Sequence, residues 1–331
     1  MISYFCEIID SWNMIGRKWV YGMMLASMFL SACQPVEKTS KNADEASAQT
    51  DQKREVTFPF PQIPSLLTDA EQRKEYLLKH YWDNFDFSDT LLVNNRSVSE
   101  QGWVNQLGLL ASGPVPEAWI EESLDNLCTG MEKTEQARRF FMSMIDEYLY
   151  NPNSPYYDED WYRIYLKRML RSTVLDEASK SSLKFRLDLI SRNMPGTLAQ
   201  DFVYYLPDGT QHTLRKTPVE GNRLLLVFYD PECGNCQESL HVMAADDKLA
   251  DAVAAGRLTV LAIYTEGNEA VWRKALPEIP QSWIVGNDRQ QVKDEAKFDL
   301  KAMPSFYLLD GKKKILLKDA SYPQVCARLG L

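Results

Sequence analysis

Histidine is nearly absent from this chain, with three in 331 residues, and cysteine stands at six. A structural zinc site wants four Cys or His ligands, commonly as two spaced pairs. Here only one Cys-x-x-Cys occurs, and His80, His212 and His241 show no ligand spacing, so no metal is expected. No glycine-rich phosphate loop, Ser-His-Asp order or internal repeat is present, and nothing calls for a bound cofactor. Basic charge is also in deficit. With 37 Lys and Arg against 46 Asp and Glu the net charge is −9, which argues against nucleic acid as a partner. Long apolar runs are missing too: the stretch from Trp19 to Leu30 falls short of the roughly twenty residues that span a bilayer.

That short stretch follows Arg17 and Lys18, the arrangement of a signal-peptide core. It ends in Leu30-Ser31-Ala32-Cys33, which resembles a bacterial lipobox, where a peptidase cuts before the cysteine and the thiol receives a diacylglycerol. The resemblance makes Cys33 a lipid anchor, and residues 1–33 a leader. Residues 1–13, with Cys6, Glu7 and Asp10, fit a leader poorly, so Met14 is the expected start. Residues 34–56 hold almost no large apolar side chains and read as a flexible tether. About twenty such residues reach roughly 25 Å, enough to hold a folded body clear of lipid headgroups. Gln34 replaces the aspartate that favours inner-membrane retention in some bacteria, which points to the outer membrane.

Residues 57–193 read as an all-α helical domain. After an extended Phe58-Pro59-Phe60-Pro61, Thr68-Asp69-Ala70-Glu71 is a capping-box pattern opening a helix with Tyr76, Leu77, His80 and Tyr81 as its apolar stripe. Further helices are predicted over 101–110, 116–127, 134–149, 161–170 and 176–192, separated by Gly113-Pro114, Gly130 and Asn151-Pro152-Asn153-Ser154-Pro155. Its many aromatics read as core, since each buries about 150–250 Å² in a packed domain.

Residues 194–331 alternate strands and helices. A hairpin is expected around Pro207-Asp208-Gly209, then strands over 223–229, 259–264 and 283–285, and helices over 237–249, 269–276 and 291–298. A second hairpin turns at Asp310-Gly311, and a helix from Pro323 to Leu329 closes the chain. At the exit of the first buried strand stands Cys233-Gly234-Asn235-Cys236. Two thiols so spaced at a strand-to-helix junction can close into a reversible disulfide. The helix N-terminus favours an anion, which makes Cys233 the attacking thiolate and Cys236, one turn deeper, the resolving thiol. Cys128 and Cys326 are open to pairing or to remaining isolated thiols.

The run Phe228-Tyr229-Asp230-Pro231-Glu232-Cys233-Gly234-Asn235-Cys236, with Ala302-Met303-Pro304-Ser305-Phe306 further on, resembles the thioredoxin superfamily. More narrowly it looks like the envelope thiol:disulfide oxidoreductases related to cytochrome-c maturation. The resemblance implies an α/β thioredoxin-like fold behind the all-α domain, and a cis-proline loop, Met303-Pro304, that presents backbone to the substrate. It departs from the family in two places. Val227 stands where many members carry a buried acid, and Asn235 where many carry proline. Asp230, three residues before Cys233, stands where peroxiredoxins have threonine, so peroxide is not the expected substrate.

The resulting expectation is a lipid-anchored, periplasm-facing oxidoreductase that reduces disulfides of envelope proteins and exchanges electrons with an upstream thiol partner. The rival is a tethered binding protein in which the helical domain does the work and the thioredoxin fold serves as a redox-inactive platform.

Overall fold

The computed structural model describes residues 57–331. The leader, Cys33 and the tether lie outside the described residues. Seven helices come first: α1 (Ala70–His80), α2 (Thr90–Asn94), α3 (Arg96–Ala111), α4 (Glu117–Met131), α5 (Glu135–Ile145), α6 (Glu159–Leu170) and α7 (Glu177–Ile190). Asp69, Asp89, Thr134, Asp158 and Asp176 each stop the chain from coiling earlier, because their side chains accept the free amides of the first turn that follows.

Trp82 organises the helical core, with Phe58, Phe85 and Phe141 packed at ring separations of 5.1, 5.2 and 5.2 Å. Its indole N–H donates to Gln106 Oε1 at 2.6 Å, and Gln106 Nε2 donates onward to Ser123 Oγ at 2.7 Å. Trp82 and Gln106 are thereby satisfied, whereas the Tyr81 and Tyr165 hydroxyls and the Trp103 indole N–H are buried in the same core without a protein partner. The stripe expected on α1 is displaced: Leu78 is the buried residue of the helix, while Tyr76, Leu77 and His80 are half exposed. The reason is that the helix ends at His80, and Tyr81, Trp82 and Phe85 make the core contacts beyond it. Helix α2 was not anticipated.

The helix expected over 134–149 also ends early. After Ile145 the chain widens into a π turn over Asp146–Tyr150. This extra residue per turn keeps Leu149 in the core and turns Tyr150 toward the other half of the molecule.

The second half is one seven-stranded sheet in the order β2-β1-β5-β4-β3-β6-β7. Its strands are β1 (Val203–Tyr205), β2 (Gln211–Thr213), β3 (Arg223–Tyr229), β4 (Thr259–Tyr264), β5 (Ile284–Asn287), β6 (Ser305–Asp310) and β7 (Ile315–Ala320). Strands β3, β4 and β5 are parallel, and β6 runs antiparallel to both β3 and β7. Both faces of β3 are covered, so its sequence is apolar at nearly every position. Leu225, Val227 and Tyr229 face the cluster that holds Cys236, Met243, Trp272 and Val325. Leu224, Leu226 and Phe228 face Phe202, Phe298 and Tyr307.

Two helices differ from expectation. The one expected over 237–249 begins at Gly234 and stops at Ala244 (α8, Gly234–Ala244), and a new helix, α9 (Asp247–Ala254), follows. Asp246 breaks the run because its carboxylate accepts the amides of Lys248 and Leu249. After α10 (Glu269–Ala275), the helix expected over 291–298 is one turn, α11 (Gln291–Asp294). It ends where Ala296 takes a positive φ of 48°. Helix α12 (Tyr322–Leu329) closes the fold behind a capping box at Ser321 and Gln324.

The two halves cohere, with residues 55–331 forming one compact unit. Among the described residues no helix is long and apolar enough to cross a membrane.

Candidate active site

Strand β3 ends at Tyr229 and the chain turns through Asp230-Pro231-Glu232, with Cys233 N–H donating to the Asp230 carbonyl at 3.1 Å. Cys233 then occupies the N-cap of α8 in extended conformation, and no side chain caps that helix end. A serine or aspartate at this position would take up the first-turn amides. Cys233 stands at that position with its sulfur turned to the Met303 carbonyl, and a thiolate at a helix N-terminus gains from the helix dipole. The side chain is half-buried.

Cys236, on the first turn, is fully buried against β3. Burial pushes its thiol up to about 12, and the Asp230 N–H that donates to its sulfur at 3.4 Å offsets this only in part. Both residues are free thiols. The fold thus separates the pair by environment, one sulfur half exposed at a helix end and the other enclosed one turn deeper.

Across from them the Met303-Pro304 peptide bond is cis. The Met303 carbonyl faces Cys233, whose thiol donates to it at 3.8 Å. Cys233, Cys236, Met303 and Pro304 therefore meet at one place, contributed by the β3–α8 turn and the loop that enters β6. Val227 is fully buried in register with Ala262 and Phe306, so that position offers Cys236 no proton carrier. Asp230 contributes its backbone N–H to the site, while its carboxylate accepts from the Glu232 amide at 3.0 Å.

The remaining candidates lie elsewhere. Cys128 is fully buried in the helical core, where burial pushes its thiol far up. Cys326 sits on α12 behind the sheet, and both are free thiols. His80 pairs with Asp83 at 2.7 Å, His212 stacks on Tyr204 at the sheet edge, and His241 is exposed in the last turn of α8. Among the described residues no three His, Cys, Asp or Glu side chains gather as metal ligands.

One group near the site escaped the sequence reading. Lys301, two residues before Met303, is enclosed by Asp299, Asp319 and Glu159 of α6. Charged residues so far apart in sequence read as solvated surface, and no local pattern marks them.

Comparison with known proteins agrees with the architecture. The family described as "Domain of unknown function (DUF5106)" matches residues 32–193, and the "Thioredoxin-like domain" family matches residues 210–318. A thioredoxin-like protein from Bacteroides caccae ATCC 43185 is 35% identical at a TM-score of 0.72, over 83% of this chain and 98% of that one. The C-terminal domain of an uncharacterized protein from Bacteroides fragilis NCTC 9343 is 34% identical at a TM-score of 0.40, over 42% of this chain and 99% of that one. No curated protein matches the chain. With a helical region of the first family, a sheet of the second and a relative alike over nearly its whole length, the chain belongs to the thioredoxin-like proteins, of the type built on a thiol:disulfide oxidoreductase fold.

Proposed function

We propose that this protein is a thiol:disulfide oxidoreductase that works through Cys233 and Cys236. The observation that carries the reading is the placement of Cys233, half exposed at an uncapped helix N-terminus and opposite the Met303 carbonyl, with Cys236 enclosed behind it. The Cys233 thiolate attacks one sulfur of a substrate disulfide. That S–S bond breaks, a mixed disulfide forms, and the first substrate sulfur leaves as thiolate. Cys236 then gives up its proton and attacks Cys233. The second substrate thiolate departs, and two electrons have passed to the substrate.

Reduction is the favoured direction. That direction follows the resemblance of the Phe228–Cys236 run to the reductases of cytochrome-c maturation. A thiol electron donor would regenerate the pair. In this reading the leader and the Leu30-Ser31-Ala32-Cys33 sequence tether the catalytic body through a lipid on Cys33 to the periplasmic side of the envelope, at the outer membrane, where disulfide-bearing proteins are the substrates.

The test is a redox titration of the whole chain in detergent, scoring Cys233 and Cys236 by alkylation and mass. Reversible closure between about −270 and −120 mV supports catalysis. A pair that never closes, or that stays closed well below about −300 mV, overturns it in favour of a binding role for the helical half.

A further inference from the structure

The loop that carries Met303 and Pro304 is tied to the helical half by a buried ionic cluster. Lys301 Nζ lies 2.7 Å from Glu159, 2.9 Å from Asp299 and 2.7 Å from Asp319. Lys318 Nζ reaches Glu159 at 2.8 Å and the carbonyl of Ile190, at the end of α7, at 2.7 Å. None of these five charged side chains is more than 11% exposed. Tyr150, swung outward by the π turn, donates to Asp299 at 2.9 Å, and its ring centre lies 5.2 Å from Lys301 Nζ. Tyr157 donates to Asp319 at 3.3 Å.

The ties continue upstream. Arg192 donates to the Ala296 carbonyl, and Asn193 Nδ2 to that of Lys297 at 2.8 Å. Downstream, Ser305 Oγ donates to the Ala302 carbonyl at 2.5 Å. The segment 296–301 is thus held by the helical half, and it runs directly into the loop whose carbonyl faces Cys233.

Buried charges of this kind tolerate no partial arrangement, because removing any one leaves its partners unpaired in a low-dielectric setting. The cluster therefore fixes one position of the loop. We propose that Lys301 is a positioning residue through which the helical half, by Glu159 and Tyr150, sets the Met303-Pro304 loop against Cys233 for docking of an extended polypeptide substrate. The inference rests on the disulfide-exchange reading above. It gives the helical half a role in substrate recognition that requires no ligand pocket of its own.

A small disulfide reaches Cys233 without using the loop, whereas a protein disulfide must lie along it. The experiment compares full-length wild type, Glu159→Gln and Tyr150→Phe in the turnover of insulin with dithiothreitol as the reductant that regenerates the Cys pair, and in the single reaction of the reduced, dithiothreitol-free chains with dithiobis-nitrobenzoate. Both substitutions leave Lys301 paired with Asp299 and Asp319; Glu159→Gln takes the carboxylate from Lys318, whereas Tyr150→Phe breaks no ion pair and carries the test if Glu159→Gln destabilises the fold. The expected result is a KM for insulin raised about tenfold in Glu159→Gln, the scale of a sub-ångström misplacement, with the dithiobis-nitrobenzoate rate unchanged. Tyr150→Phe should shift the same way by less. An unchanged insulin KM, or a fall in both reactions in step as general destabilisation would give, overturns the proposal. A wild-type chain inert to both disulfides would overturn the redox reading itself and this inference with it.

Discussion

Replacing Lys301 by methionine keeps the length of its stem and deletes its charge, which leaves Glu159, Asp299 and Asp319 with only Lys318 to neutralise them. Lys301 is 3% exposed, so water cannot enter to compensate. Burial by itself would ease its deprotonation, but Asp319, Glu159 and Asp299 reverse that and hold the ammonium well above its ordinary range. Breaking a buried pair of this kind costs roughly 3–5 kcal/mol. For a folded body of this size that lowers the melting temperature by about 6–10 °C. Thermal unfolding at neutral pH, followed by tryptophan fluorescence, reads the change. Glu159→Gln in the same background removes one of the stranded carboxylates, so the double variant should be more stable than the two single costs added together, by about 1–3 kcal/mol.

Acid provides a second check on the same cluster. Burial would raise the Glu159 carboxyl, but Lys301 and Lys318 outweigh it and hold the group below its ordinary value of 4.5. A depressed carboxylate stabilises the fold above that ordinary value, and the contribution is lost as pH falls through the lower folded one. Wild type should therefore lose stability below about pH 4 faster than Lys301→Met, and the gap between them should narrow. A single-variant cost under about 1 kcal/mol, or strict additivity in the double, would refute the reasoning.

Other outcomes follow from the same geometry. Iodoacetamide at pH 8 should modify Cys233 and spare Cys236, whose thiol stands near 12, with labelled peptides read by mass. A Cys236→Ser variant should accumulate mixed disulfides that a non-reducing gel resolves. Cys128, enclosed in the helical core, should react only at the rate of global unfolding, so that its labelling tracks denaturant concentration. Asp288 is lifted by burial from 3.8 to about 6, although the amides of Val292 and Gln290 oppose the rise. A carboxyl raised in the folded state binds its proton more tightly there, so stability is gained as pH falls through that window and lost as it rises. Stability of wild type relative to Asp288→Asn should drop by on the order of 2–3 kcal/mol between pH 4 and pH 7, and a flat difference would contradict the assignment.

Much of this protein was determined locally. The apolar run Leu224-Leu225-Leu226-Val227-Phe228 reads as a strand covered on both sides, and Cys233 and Cys236 follow it closely enough that one junction holds both. The resemblance to thioredoxins rested on those residues and on Met303-Pro304, and the fold bears it out. Element ends were less legible. Asp246 reads equally as a helical surface residue or as a new cap, and only packing of Leu249 beneath the sheet decides for the cap. The π turn before Tyr150 leaves no periodicity that distinguishes it from the helix it extends.

What tertiary structure alone decided is the pairing of Glu159 with Lys301, 142 positions apart. A charged residue in sequence carries no sign of whether water or a counter-charge will surround it. Only when α6 and the loop before β6 close on each other does burial strip the water away and convert ordinary surface ions into the cluster that joins the two halves.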